Sequence, residues 1–202
     1  GTKAHFKKNP FHFVCVPAVS RNLHKELLQK YDVLSEKSEK SPLNQIIGNG
    51  KWGIVANGVS FDYVLDAVTD LGIKDKVSIL KLGFSWPLPK KLLAKFLNSV
   101  DKVLVVEELE PINENEFKAI AQENVITQPI KGKGVGGLSR LWEYDPRLVR
   151  GAVAATFGLE HKAPAVVDVS DLPPLPGRPP TLCAGCPHRA TFYAVKEVYG
   201  AD

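Results

Sequence analysis

The run Cys183-Ala184-Gly185-Cys186-Pro187-His188-Arg189 sets two thiols, an imidazole and a guanidinium close together in the chain. Thiolates and imidazoles bind zinc, and thiolates hold iron–sulfur clusters. Such sites take about four ligands, and no second Cys or His pair follows. Haem attachment needs a histidine directly after the second cysteine, and Pro187 intervenes. A redox pair at a helix start would gain thiolate character from the helix dipole. The plainer alternative is a helix opened by proline in its first turn, with the thiols packed as small apolar groups. The residue types weigh against a metal and leave the last two readings open.

Two other stretches carry charge where chemistry is possible. Val103-Leu104-Val105-Val106 runs straight into Glu107, Glu108 and Glu110. Carboxylates at the carboxyl end of a buried strand stand where open α/β sheets place their ligands, although glutamates after a strand are more often solvated loop residues. Lys131-Gly132-Lys133-Gly134-Val135-Gly136-Gly137 offers backbone amides and two ammonium groups that could receive a phosphate, that of coenzyme A for instance. It has neither the Walker nor the dinucleotide spacing, and glycine clusters mostly mark flexible turns with solvated lysines. His5, His12, His24 and His161 have no local partner for metal or triad chemistry. Trp52, Trp86 and Trp142 lie far apart and read as packing anchors.

These groups need a scaffold, and hydrophobic periodicity supplies its outline. Residues 1–50 read as a lead-in: an extended or strand segment over Phe11–Val16, then a helix from Ser20 to Leu34 with Leu23, Leu27, Leu28, Tyr31 and Leu34 on one stripe. Ser35 to Ser41 is polar and patternless, as in a solvated connection or helix end. From Lys51 short apolar runs alternate with helical stretches. Strands are expected at Gly53–Ala56, Val77–Leu82, Val103–Val106 and briefly near Val125. Helices are expected over Phe61–Leu71 with Gly72 as cap, Lys90–Val100, around Phe117–Ala121, and Pro146–Gly158. The continuous apolar run at Val103–Val106 suits a central strand buried on both faces. The alternation implies an α/β fold over residues 51–167, a mostly parallel sheet flanked by helices on both faces. Residues 168–180, with five prolines from Pro173 to Pro180, read as an extended linker, and residues 181–202 as the start of a further domain carrying one amphipathic helix.

Bulk composition excludes several classes. Of 202 residues, 44% are hydrophobic and 24% charged, as in an ordinary globular chain rather than a disordered one. The net charge of +4 is spread along the sequence, too weak and diffuse for a nucleic-acid surface. No apolar run reaches the ~18 residues of a membrane span, and three cysteines make no disulfide framework. A cytoplasmic location is expected. The chain starts with glycine and contains no methionine, so it reads as a segment processed or cut from a longer protein.

Cys183, Gly185, Cys186, Pro187, His188 and Arg189, following a proline-rich linker, resemble the opening of the thiamine diphosphate-binding domain in the alpha subunit of indolepyruvate ferredoxin oxidoreductases, within the 2-oxoacid:ferredoxin oxidoreductase family. Val106-Glu107-Glu108-Leu109-Glu110-Pro111, and the whole run from Gly53 to Leu159, resemble that family's domain similar to the C-terminal domain of transketolase. The resemblance covers nearly the entire chain. It implies a parent enzyme that oxidatively decarboxylates aryl pyruvates to aryl-acetyl-coenzyme A. Such an enzyme uses thiamine diphosphate with Mg2+, and [4Fe–4S] clusters that pass electrons to ferredoxin. A beta subunit is the implied partner, and a homo-oligomer is a further possibility. Cys183, Gly185, Cys186, His188 and Arg189 are the residues implied for the cofactor-binding part, with no catalytic or metal-ligating residue assigned. The family's Gly-Asp-Gly motif and clustered cysteines are absent from these 202 residues. The chain alone is therefore expected to bind no cofactor and to act structurally. The alternatives are a subunit-docking module without chemistry and a Cys-x-x-Cys redox or zinc protein.

Overall fold

A computed structural model describes residues 5–162, 165, 167–173, 176–177 and 181–200. The chain divides into two compact units, Gly1–Pro164 and Ala165–Asp202.

The first unit opens with a short helix, α1 (Pro10–Phe13), where an extended segment was expected; only Val14 to Val16 beyond it are extended. Helix α2 (Pro17–Glu39) starts on a proline at its first turn and runs through the polar stretch at 35–39 that carries no apolar signal. Glutamates, lysines and serines on the exposed side sustain a helix once packing holds its end. Leu27 and Leu28 on its apolar stripe remain more than half exposed. Its C-terminal end is the anchored part: Ser38 is buried, and the Glu39 carboxylate accepts the backbone N–H groups of Lys91 and Leu92 at 2.7 and 3.1 Å.

The sheet begins at Gln45 rather than at 51. Strand β1 (Gln45–Gly48) pairs antiparallel with β3 (Val77–Leu82), which lies parallel to β2 (Trp52–Asn57); β2 lies parallel to β4 (Lys102–Val106), and β4 to the two-residue β5 (Ile130–Lys131). The order β1-β3-β2-β4-β5 makes β2 the middle strand, with β4 interior beside it. The short last strand lies at Ile130 and not near Val125, which is exposed and in the left-handed region at φ 55°.

Alternation along the interior strands supplies both faces of the core. Ile54, Ala56, Leu104 and Val106 pack with helices α3 (Gly58–Asp70) and α6 (Pro146–Phe157). Val55, Val103 and Val105 face α4 (Lys90–Ser99) and α5 (Ile112–Glu123). Burial on both sides explains why these strands read as unbroken apolar runs. Each fully buried Val, Leu or Phe contributes about 1.5–3 kcal/mol relative to exposure. Trp52 stacks on Phe157 with ring centroids 4.8 Å apart, a packing anchor as expected, whereas Trp86 and Trp142 are largely exposed.

In the second unit, helix α7 (Pro187–Tyr199) follows the cysteine pair and buries none of its residues. The linker reading over 168–180 falls partly on Pro174, Leu175 and 178–180, outside the described residues. Asp168 accepts the backbone N–H of Ser170 at 2.9 Å, and that bond holds its carboxyl below the usual range. Among the described residues no helix is long and apolar enough to cross a membrane.

Candidate functional site

Strand β2 hands the chain to α3 on one face, while its neighbour β4 hands it to α5 on the other. Adjacent strands whose connections diverge open a crevice beyond their carboxyl ends, where ligands of open α/β sheets bind. Here the crevice holds about 770 Å³ and is lined by the β2–α3 junction, by Ser85 and Trp86 beyond β3, and by the β4–α5 loop.

The three glutamates expected to be solvated loop residues are instead committed to the protein, each differently. Glu107 is 6% exposed. Its two carboxylate oxygens accept the backbone N–H groups of Asn113 and Glu114 at 2.9 and 2.8 Å, so it caps the first turn of α5 from outside the helix, where the dipole favours negative charge. Glu108 accepts the N–H of Tyr144 at 2.9 Å. Glu110 holds Arg140 through two bonds of 3.1 and 2.7 Å and raises the guanidinium pKa further. Leu109 between them sits at φ 57°, an uncommon position for a side chain with a γ-branch.

The glycine-rich loop is likewise tied down rather than flexible. Glu114 accepts the Lys133 backbone N–H at 2.9 Å and the Lys118 ammonium at 2.6 Å. Gly132 leaves room for this approach, since a Cβ there would meet the Glu114 carboxylate unless that side chain shifted. The Lys133 ammonium, far from being solvated, donates to the carbonyl of Glu107 and to the Tyr144 hydroxyl, the latter at 2.5 Å. Burial lowers its pKa, against the opposing pull of Glu107, Glu114, Glu110 and Glu108. Tyr144 donates to the carbonyl of Ser139 at 2.8 Å, and burial, with Glu107, Glu108 and Glu114 around it, pushes its phenol up to about 12. An ammonium already surrounded by carboxylates is a poor receptor for a phosphate. Lys131 is exposed on the edge strand.

The cysteine-bearing turn stands in the other unit. Cys186 donates its N–H to the carbonyl of Cys183 at 3.2 Å, closing a turn whose third residue, Gly185, lies at φ 76°, where glycine carries no steric cost. Pro187 opens α7 and Cys186 stands at its N-cap, with its sulfur 3.3 Å from Nδ1 of His188. Cys183, His188 and Arg189 are exposed and Cys186 half-buried, all cysteines being free thiols. The turn brings Cys186 and His188 together; Arg189 has no side-chain partner among the described residues. These residues do not supply the donor set that a magnesium diphosphate requires. Magnesium takes oxygen ligands in near-octahedral array, and the turn offers sulfur and nitrogen. Among the described residues no cluster of three or more His, Cys, Asp or Glu could hold a metal ion.

Periodicity and residue type located the glutamates and the thiol turn. They carried no sign of Glu39, Glu114 or Tyr144, whose roles come from contacts distant in sequence, nor of the buried polar pair Ser60 and Asn113 at the crevice.

Taken together, the first unit is an open α/β domain, doubly wound about a mostly parallel sheet, followed in sequence by a proline-rich stretch and a thiol-bearing helix. No protein-family model matches the chain. Six curated relatives bear the name indolepyruvate oxidoreductase subunit IorA. That of Methanothermobacter thermautotrophicus is 40% identical over 195 residues, 95% of this chain and 31% of the relative. That of Thermococcus kodakarensis is 41% identical over 203 residues, 96% of this chain. The chain is thus a relative of the IorA subunit of indolepyruvate oxidoreductases, and it spans about a third of the length of the curated relatives it matches. Among solved structures, a 2-oxoglutarate:ferredoxin oxidoreductase from Magnetococcus marinus aligns at a TM-score of 0.45 and 20% identity, covering 68% of this chain and 23% of that one.

Proposed function

We propose that this chain is the architectural part of an enzyme that oxidatively decarboxylates aryl pyruvates such as indolepyruvate to aryl-acetyl-coenzyme A, with ferredoxin as electron acceptor. The observation carrying this reading is the alignment of 95% of the chain with IorA subunits at 40% identity. In this reading the α/β domain, whose sheet starts at Gln45 rather than at 51, is a transketolase C-terminal-like domain, 168–180 a linker, and 181–202 the entry to a thiamine diphosphate-binding domain. Cys183, Gly185, Cys186, His188 and Arg189 belong to that entry, where the turn at Gly185 and the proline at 187 fix the direction in which α7 leaves. Thiamine diphosphate with Mg2+ and [4Fe–4S] clusters are cofactors of the whole enzyme, a beta subunit its partner, and the cytoplasm its location. The chain's own residues contribute scaffold, and by itself it neither binds the cofactor nor turns over.

The direct test exchanges these 202 residues for the matching third of the Methanothermobacter thermautotrophicus subunit, expressed with its partner. Ferredoxin reduction driven by indolepyruvate and coenzyme A should survive in the chimaera. A folded, assembled chimaera without that activity contradicts the reading. Calorimetric titration of the chain alone with thiamine diphosphate and Mg2+ should show no saturable heat; tight, magnesium-dependent binding would contradict the structural role.

A further inference from the structure

A second, smaller cleft lies between the C-terminal half of α2, the start of α4 and Glu116 of α5. It holds about 250 Å³, below the roughly 300–1,000 Å³ usual for drug-sized ligands, so it suits a small metabolite. Its apolar wall is Leu88, 5% exposed, with Tyr31 and Trp86, whose rings meet at 60° with centroids 6.2 Å apart. Trp86 remains 54% exposed and Tyr31 38%, so the edge-to-face pair keeps a place open for a third ring. The charged groups around this wall divide into spent and unspent. Glu39 caps α4 through the Lys91 and Leu92 N–H groups, so the anion-binding end of that helix is filled from within the chain. Lys90 pairs with Glu123 at 3.4 Å, both side chains more than half exposed. The side chains of Glu36, Lys91 and Glu116 line the cleft and, among the described residues, make no hydrogen bond or ion pair. Glu116 is half-buried, where a carboxylate without a partner is costly.

We infer that this cleft binds a free α-amino acid with an aromatic side chain. The ring lies against Tyr31, Trp86 and Leu88. The ligand ammonium is held by Glu116 and Glu36, and its carboxylate by the Lys91 ammonium. A simple organic anion would meet two unspent carboxylates, and a simple amine would face Lys91 without answering it. A zwitterion answers both signs, and the aromatic wall selects among zwitterions. The site is independent of the oxidoreductase reading, since it uses only residues of the first unit.

The test follows indole and amide NMR signals of the 202-residue chain titrated with phenylalanine, with phenethylamine and 3-phenylpropanoate, which lack its carboxylate and its ammonium, and with glycine, which lacks its ring. Phenylalanine should shift the Trp86 indole N–H and the Lys91 amide saturably, and each of the other three should bind about tenfold more weakly or less, having lost a charge-assisted contact or the ring. Glu116→Gln should weaken phenylalanine and phenethylamine alike by about fivefold and leave 3-phenylpropanoate no weaker. Lys91→Gln, at an exposed position, should weaken phenylalanine by a similar factor and leave phenethylamine no weaker. Absence of saturable shifts at Trp86, an amine or acid that binds as tightly as phenylalanine, glycine binding equally well, or a Lys91→Gln chain that binds phenylalanine normally would each overturn the inference.

Discussion

The β4–α5 loop and the Cys183–Arg189 turn hold the densest chemistry in the chain, and they use it in opposite ways. Around the loop, Glu107, Glu108, Glu114, Lys133 and Tyr144 are bonded to one another or to nearby backbone, Glu110 is bonded to Arg140, and the most buried of them cap a helix or pin a loop. In the turn, two thiols, an imidazole and a guanidinium are presented at the surface, with one contact of 3.3 Å between Cys186 and His188. Residues of catalytic type therefore hold a fold together in one region and stand unengaged in the other. The difference lies in burial: desolvated charge must find partners, whereas exposed charge is satisfied by water.

The largest effect expected from breaking this contrast is at Glu107. Replacing it with alanine strands the Asn113 and Glu114 N–H groups and leaves Lys133 with less compensating charge, so urea denaturation should register a loss of about 2–4 kcal/mol. Glu107→Gln keeps one acceptor and should lose roughly half as much. A loss under about 0.5 kcal/mol would place Glu107 among ordinary surface residues.

Next comes a pH effect at Tyr144. Its folded phenol loses its proton near about 12, against 10.0 for an unperturbed tyrosine. The stability it lends is complete below the unperturbed value and falls as pH rises through that window. Lys133 acts in the opposite sense, since a lowered lysine pKa disfavours the charged folded form and its penalty fades as pH approaches the ordinary lysine value. Denaturation midpoints measured across the alkaline window should decline for the native chain, and Tyr144→Phe should flatten that decline. An unchanged slope would mean that Tyr144 is solvated.

The smallest effect belongs to the turn. Replacing Cys183 and Cys186 together with alanine should change stability by no more than about 0.5 kcal/mol, because neither thiol is deeply buried. A larger loss in the same denaturation experiment would show that the thiols are structural.

Much of the fold was legible from spacing alone. Strands at Val77–Leu82 and Val103–Val106, and the helices opened by Pro146 and Pro187, stand within a residue or two of where apolar periodicity and proline put them. Strand β1 was not legible, because Gln45-Ile46-Ile47-Gly48 is too short to show a period and forms by pairing along the edge of β3. The end of α2 was hidden for a related reason: Ser38 and Glu39 look solvated until α4 is present to bury one and bond the other. The sequence also offered the right glutamates with the wrong environment. Nothing local signals that Glu107 will meet a helix start six residues on, or that Lys133 will fold back over its carbonyl. Ser60 and Asn113 escaped notice because a lone serine or asparagine gains meaning only from what it lines.

Amide hydrogen exchange on the whole chain tests the contrast most directly. The N–H groups of Asn113, Glu114 and Lys133, each donated to a buried carboxylate, should exchange only through opening close in free energy to global unfolding, while those of Cys183 to Arg189 exchange through local opening at far smaller cost. Rapid exchange at Asn113 and Glu114, or slow exchange across the cysteine turn, would contradict the account.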